Sequence, residues 1–374
     1  MNYVNDNRIV MTLDAGGTNF VFSAIQGNQQ KVDEIRLDSE ADNLENSLAN
    51  IIEGFSRIKN SLSSEPVAIS FAFPGPADYP NGVLGDLGNF PAYRGGVPLG
   101  PILEEKFKLP VYINNDGDLF AYGESIAGFL PHINEKLKSA GNPKRYKNLV
   151  GITLGTGFGS GIVHNDELFL GDNSIAGEIF LMRNKLIPFE NVEESASIRG
   201  VQRMYCNESG VENNSIPSPK EIFDIAIGER DGNQEAAKEA FNHVGQVVGD
   251  AISHAVTLLD CLVVVGGGLS GANSLLMPSI INEMNSYYEL PNGSKQKRLL
   301  ANVYNLDNEN DLQKFVENSF ETMLLNGTNK IVRYDLTKKI GVGTTRIGTS
   351  KAIAIGAYNF ALHQLDKKIV RTNK

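Results

Sequence analysis

The 374-residue chain predicts an α/β protein built of two related lobes. Three observations carry that reading. A glycine-turned hairpin near the N-terminus returns in the middle of the chain. Each copy is followed by alternating helix and strand patterns, as in α/β domains. The length suits two domains of ordinary size better than one core. On the hairpins alone, the alternative is two unrelated turns that share glycines.

In the first copy, residues 8–14 read as a strand, 15–18 as a tight turn and 19–26 as a second strand. "GNQQ" at 27–30 then turns the chain into a third strand, "KVDEIRL". Next, Leu44, Leu48, Ile51, Ile52, Phe55 and Ile58 share one helical face. The strands "VAISFAF" and "PVYIN" (110–114) follow. In the second copy, 148–154 form a strand, "GTGF" a turn and "GSGIVH" a strand, and "ND" turns into "ELFL". A long helix covers 234–259, "CLVVV" at 261–265 is a buried strand, and a helix occupies 351–362. Two lobes starting alike imply a cleft between them, where a ligand is expected.

Composition narrows the function. The chain is 41% hydrophobic and 21% charged, with 38 glycines, as in a globular protein. Its net charge is −10 with no block of lysine or arginine, so the electrostatic footprint of a nucleic-acid partner is missing. Such a charge also slows an anionic ligand unless a metal or local dipole intervenes. Cys206 and Cys261 are too few and too far apart for a zinc knuckle or a disulfide framework. The N-terminal "MNYVNDNR" has no apolar core of a signal peptide. The longest apolar stretch, "LVGITLGTGFGSGIV", is broken by five glycines and is too short for a bilayer. A cytoplasmic protein with no membrane partner is expected.

Three glycine turns are candidate ligand loops: Gly16 and Gly17 with Thr18, Gly155 and Gly157 with Thr156, and Gly266, Gly267 and Gly268 after a buried strand. Glycine suits them because it takes positive φ and lets backbone N–H groups approach a ligand. The third turn has room for an adenine and its ribose. None has a Walker A ending or a complete dinucleotide fingerprint. Asp14, ahead of the first turn, puts a negative charge beside a phosphate-type loop. It is explained if the phosphates arrive with Mg²⁺, a hydrated ion that the carboxylate faces through water. The alternative is that Asp14 caps its own turn.

Downstream, "NDGDLFAYGE" follows the strand "PVYIN". A carboxylate there, at a strand end and before a helix, points toward the ligand in such folds. With ATP as one substrate and a hydroxyl compound as the other, Asp116 is the candidate base. The alternative is an acid that caps the helix, a role Asp118 is able to fill.

Together these segments resemble the ROK family of sugar kinases, within the actin/hexokinase-like ATPase fold of two ribonuclease-H-like lobes. "MTLDAGGTNF" is similar to the first phosphate motif, "FAFPGPAD" and "LGNFPAYRGGVPLGPILEEKFKLPVYINND" to the sugar loop and catalytic stretch. "LGTGFGSGIVHNDELFLGDNSIAGEI" is similar to the second phosphate motif and "VVVGGGLS" to the adenosine motif. The resemblance implies Asp116 as catalytic base, and Asn115, Asn89, Glu178, Glu193 and Gly75 around the sugar. It implies ATP on Asp14, Gly16, Gly17, Thr18, Asn19, Gly155, Thr156, Gly157 and Gly266–Gly268, with Mg²⁺ held through water by Asp14. It divides the chain into an N-terminal lobe, 1–115 plus 351–374, and a C-terminal lobe, 116–350.

The departures matter too. Many members carry a glycine-histidine pair after the Glu178 position and then a cysteine-rich zinc loop; here Leu181 stands in for the histidine and no cysteine follows until Cys206. Structural zinc is therefore not expected. Residues 131–147 and 286–345 are extensions, the latter with some strand character. The leading reading is a glucokinase-like ATP:sugar phosphotransferase, acting on O6 of a hexose or N-acetylhexosamine. A non-catalytic sugar sensor of the same family is the alternative. A repressor is disfavoured because seven residues precede the first strand. The sugar is not named by these residues, and a homodimer, common in the family, stays open.

Overall fold

A computed structural model describes residues 3–88, 90–211 and 216–372. It opens with β1 (Val10–Ala15), β2 (Asn19–Gln26), β3 (Gln29–Gln30) and β4 (Ile35–Asp38). Helix α1 (Leu44–Ser61) follows, then β5 (Ala68–Ala72), β6 (Ala77–Asp78), β7 (Val83–Leu84), α2 (Leu99–Phe107), β8 (Val111–Asn114) and α3 (Asp116–Ile126). Next come α4 (Phe129–Ser139), β9 (Leu149–Leu154), β10 (Phe158–His164), β11 (Glu167–Leu168), α5 (Ile198–Ser209), α6 (Pro219–Ile227) and α7 (Gln234–Leu259). The chain continues through β12 (Leu262–Gly266), α8 (Asn273–Met284), β13 (Tyr287–Glu289), β14 (Lys295–Lys297), β15 (Asn302–Asn305) and α9 (Glu309–Val316). It closes with β16 (Glu321–Leu324), β17 (Ile331–Tyr334), β18 (Lys339–Thr344) and α10 (Thr349–Thr372).

The chain forms two compact units. The first is Met1–Gly128, Gly161–Gly177 and Ile347–Lys374; the second is Phe129–Ser160 and Glu178–Arg346. The boundaries differ from the expected lobes, because residues 116–128 and 161–177 join the first unit. The reason is packing. Helices α3 and α10 approach backbone to backbone: a Cβ at Gly123 would lie 1.9 Å from the Ala352 carbonyl oxygen, and one at Gly356 would lie 2.1 Å from that of Leu119. Helix α3 thus packs with α10.

In the first unit the sheet order is β3-β2-β1-β5-β8, with β4 also on β2. Strands β1 and β2 are antiparallel, whereas β5 runs parallel to both β1 and β8. Its core is aromatic: Phe20, Phe22, Phe55, Phe71, Phe73, Phe90 and Tyr93 are all fully buried. Helix α1 sends Ile51, Phe55 and Ile58 into this core, with Leu44, Leu48 and Ile52 at its margin, as the periodicity predicts. Its N-terminus is capped by the Asn43 side chain, which accepts the Asn46 N–H.

The expected third strand, "KVDEIRL", pairs only from Ile35 onward as β4, while Gln29–Gln30, expected in the turn, forms β3. Ile25 pairs with Gln30 and Phe22 with Ile35, so the partner strand advances five residues while β2 advances three. The surplus is a bulge that separates β3 from β4. The Gly27-Asn28 turn before it has positive φ at both residues, 58° and 63°. In the second copy, Asn165 and Asp166 form the same kind of two-residue turn, with φ of 52° and 65°.

In the second unit, β9, β12, β18 and β15 lie side by side and parallel. Helices α7 and α8 pack closely, since a Cβ at Gly249 would meet the Ile280 carbonyl oxygen at 2.8 Å. The 286–345 extension is not wholly peripheral. Strand β18 sits in the core of the sheet between β12 and β15, while the hairpins β13–β14 and β16–β17 and helix α9 stand outside it. Helix α10 runs past the expected end at 362, through a stretch with no glycine or proline to stop it.

Candidate active site

Strand β8 ends at Asn114, and α3 begins two residues later. Asn115 is the N-cap: its Oδ1 accepts the Gly117 N–H at 2.8 Å. The cap is thus neither Asp116 nor Asp118, which is buried within α3. Asparagine wins because its short side chain reaches the first free N–H groups while its backbone stays extended. The Asp116 carboxylate is bonded locally, by the Gly117 N–H at 2.9 Å and by its own backbone N–H. The residue is otherwise exposed. Even so, the protein around the carboxyl strips away enough water to push its pKa above the ordinary aspartate range. The Gly117 bond opposes the rise and the negative charge of Asp14 adds to it.

Gly75 and Asn115 meet at Tyr79. The Tyr79 hydroxyl donates to the Phe73 carbonyl at 3.0 Å, and the Asn115 amide lies 3.4 Å from it. A Cβ on Gly75 would sit 3.2 Å from the same oxygen. No short-range pattern marks Tyr79. Asn89 lies outside the described residues. Arg94 donates to the carbonyls of Leu87 (2.7 Å) and Tyr93 (2.8 Å).

The first glycine turn closes with the Gly16 N–H on the Asn19 carbonyl at 3.0 Å. Ser39, just after β4, accounts for two more carbonyls. Its hydroxyl donates to Gly17 at 2.6 Å and its N–H to Thr18 at 3.0 Å. With carbonyls turned to Ser39 and the Gly16 N–H spent on closing the turn, the exposed Gly17 and Thr18 are the residues left to present N–H groups. Asp14, exposed at the end of β1, has its pKa raised by desolvation and by Glu34, with Arg36 opposing. Gly161 falls in the strand after this kind of turn rather than in a loop. It lies in β10 against the start of α3, where a Cβ would be 2.4 Å from the Gly117 carbonyl oxygen. A glycine inside a strand is the available signal for such a close approach.

The second unit holds the other candidates. The second turn closes with the Gly155 N–H on the Gly157 carbonyl at 3.0 Å, and the Gly155 carbonyl accepts the Ile198 N–H at 2.8 Å. Glu193 sits under this turn. Its Oε2 accepts the Phe158 N–H at 2.9 Å and its Oε1 the Arg199 guanidinium at 2.9 Å. Arg199 also reaches the Thr156 carbonyl at 3.3 Å. Gly267 follows β12 with φ 88°, and a Cβ there would lie 2.2 Å from the Leu154 carbonyl oxygen. Positive φ is therefore the reason for glycine at Gly267, but not at Gly16, Gly155, Gly157 or Gly268. At Gly157 the reason is space, since a Cβ would stand 2.6 Å from Glu193 Oε2. Gly266 ends β12 opposite Thr153. Glu178 is exposed ahead of a short 3-10 turn, Ile179–Leu181.

The segment after Leu181 is braced by polar groups. Asn184 donates to Ser195 Oγ at 2.8 Å, Ser195 Oγ lies 3.1 Å from His243 Nε2, and Arg203 forks onto Glu190 at 2.7 and 2.6 Å. Burial holds the His243 pKa below the usual imidazole range. Cys206 and Cys261 are both free and buried, and burial pushes Cys261 up to about 12. Among the described residues, no group of three or more His, Cys, Asp or Glu is placed to hold a metal ion. No helix among them is long and apolar enough to cross a membrane.

The chain is 53% identical to the glucokinase of Parabacteroides distasonis, whose crystal structure matches with a TM-score of 0.88 over 97% of this chain and 99% of that one. It is 27% identical over 271 residues to the N-acetyl-D-glucosamine kinase of Vibrio cholerae, covering 69% of this chain and 83% of the relative. It is 26% identical over 310 residues to the glucokinase of Halalkalibacterium halodurans, covering 75% and 86%. The ROK family model matches residues 10–308, which is most of the chain; with two α/β units, a glycine turn in each and a carboxylate at a strand end, the protein belongs to the ROK family.

Proposed function

We propose that this protein is an ATP-dependent sugar kinase that moves the γ-phosphoryl group to O6 of a hexose or N-acetylhexosamine, with Asp116 as general base. D-Glucose is the preferred acceptor in this reading, on the strength of the likeness to the Parabacteroides distasonis glucokinase. The observation that carries the reading is Asp116 itself, a solvent-accessible carboxylate at a strand end, bonded only by neighbouring backbone N–H groups and with a raised pKa.

In the reaction, Gly75, Asn89, Asn115, Glu178 and Glu193 orient the sugar hydroxyls. As the sugar oxygen bonds to the γ-phosphorus, its proton passes to Asp116. The bond from that phosphorus to the bridging oxygen breaks, and its electron pair leaves with ADP. A loose transition state asks the protein chiefly for positioning and charge stabilisation. A raised pKa makes Asp116 a stronger base than an ordinary aspartate, provided it is ionised. The turns at Gly16–Asn19 and Gly155–Gly157 present N–H groups to the phosphates, and Gly266–Gly268 takes the adenosine.

Asp14 fits a hydrated Mg²⁺: it is a hard oxygen donor, exposed, and close enough to Asp116 for its charge to be felt there. When bound, the ion neutralises charge on the β- and γ-phosphates. A reaction that consumes ATP fits the cytoplasm. The competing reading is a sugar sensor without turnover, favoured by Leu181 at the position of the family's histidine.

ADP release across glucose, mannose, fructose, N-acetylglucosamine and N-acetylmannosamine separates the two. Turnover with glucose above the others, abolished by Asp116→Ala, supports the kinase. Saturable sugar binding with no turnover on any sugar supports the sensor.

A further inference from the structure

Glu193 resembles a sugar ligand of the family, yet its bonds run in another direction. Both carboxylate oxygens are engaged within the second unit. Oε2 accepts the Phe158 N–H at 2.9 Å, and Oε1 accepts Arg199 at 2.9 Å. Arg199 is shared with Glu194 at 2.8 Å and touches the Thr156 carbonyl at 3.3 Å, while the Ile198 N–H holds the Gly155 carbonyl. Residues 193–199 therefore grip the 155–158 turn at three places. The fit is tight, because a side chain at Gly157 would collide with Glu193 Oε2. A half-buried, charge-assisted bond to a backbone N–H is strong enough to select one turn geometry.

We infer that Glu193 is a positioning residue for the nucleotide: it sets the 155–158 turn so that the remaining N–H groups of that turn meet the phosphates. The inference rests on the reading of this turn as a phosphate loop. It has a consequence for the sugar. A hydroxyl bonded to Glu193 shares the carboxylate that shapes the phosphate loop, so sugar and nucleotide affinities are linked through one side chain.

The test measures the Kd of ATP with Mg²⁺ by calorimetry on the full chain without sugar, where a pure sugar ligand is silent. Glu193→Ala is expected to weaken ATP about 10-fold, the scale of one lost charge-assisted bond. Glu193→Gln keeps an acceptor for Phe158 and is expected to stay within about 3-fold of wild type. Gly157→Ala, which pushes Oε2 off the Phe158 N–H, is expected to weaken ATP by a similar factor in the wild type but to add little in the Glu193→Ala background. That non-additivity marks a shared contact, and general loss of fold does not produce it. Thermal melts select folded variants, and Gly157→Ala with Glu193→Gln carry the test if Glu193→Ala does not fold. A wild type that binds ATP and a Glu193→Ala variant that binds it equally well overturn the positioning role alone. A wild type that binds no ATP overturns the kinase reading as well.

Discussion

The two glycine turns share a sequence pattern and a hairpin, but they are held in different ways. The turn at 16–19 is braced by Ser39, a neutral residue whose hydroxyl and N–H take the Gly17 and Thr18 carbonyls. The turn at 155–158 is braced by Glu193 and Arg199, an ion pair that takes a backbone N–H and a carbonyl. The first brace leaves charge out of the loop, where Asp14 already supplies one. The second imports one guanidinium shared by two carboxylates, Glu193 and Glu194, so it adds a net negative charge behind the loop. Similar loops thus acquire different electrostatics from the segments behind them.

The largest effect lies outside both braces. Asp116→Ala is expected to lower turnover by roughly 10²–10⁴, the usual worth of a general base, with ATP Kd little changed. The same substitution is expected to raise Tm at neutral pH. A carboxyl whose folded pKa is raised binds more protons in the folded state than unfolded, so stability falls as pH climbs from the unfolded to the folded pKa. Removing the group removes that loss, and a Tm that drops would count against it. In turnover, the acid limb of the kcat/KM profile is expected above the ordinary aspartate range; a limb near pH 4 would speak for another base.

Next in size is Gly161→Ala. Its Cβ would lie 2.4 Å from the Gly117 carbonyl oxygen, so it presses on the start of α3. A destabilisation of about 1–3 kcal/mol, the usual cost of overpacking, is expected in denaturant titration, together with slower turnover. Smaller still is the difference between the glycine turns. Gly16→Ala meets only the Asn19 carbonyl oxygen at 3.1 Å, whereas Gly157→Ala meets a carboxylate oxygen at 2.6 Å. ATP affinity is expected to fall less for Gly16→Ala, and equal losses would erase the contrast. Smallest is Ser39→Ala, which removes the hydroxyl bond but leaves the N–H. It is expected to cost about 1 kcal/mol of stability and to raise the KM for ATP by a small factor.

Much of the architecture is legible in the residues. The face of α1, the extent of α7 and the hairpin turns at Asn165-Asp166 follow from local periodicity and turn chemistry, which act over a few residues. The break between β3 and β4 does not, because it depends on β2 offering two registers to one partner. Nor does the site's second layer. Tyr79 joins Gly75 to Asn115, and Ser39 and Arg199 hold the glycine turns, through contacts between residues far apart in the chain with no periodic signal. Asn115 as N-cap was open to local reasoning, but the neighbouring aspartates compete for that role on equal terms in sequence.

Local chemistry alone therefore decided that there are two glycine-turned α/β units and that a carboxylate ends a parallel strand. Those features arise from hydrogen-bonding and steric preferences of neighbouring residues. Tertiary structure decided which unit owns α3, through two glycines that let it touch α10. It also decided what Glu193 does, because a carboxylate takes its role from the N–H and guanidinium that folding brings to its oxygens, and the chain order does not specify them.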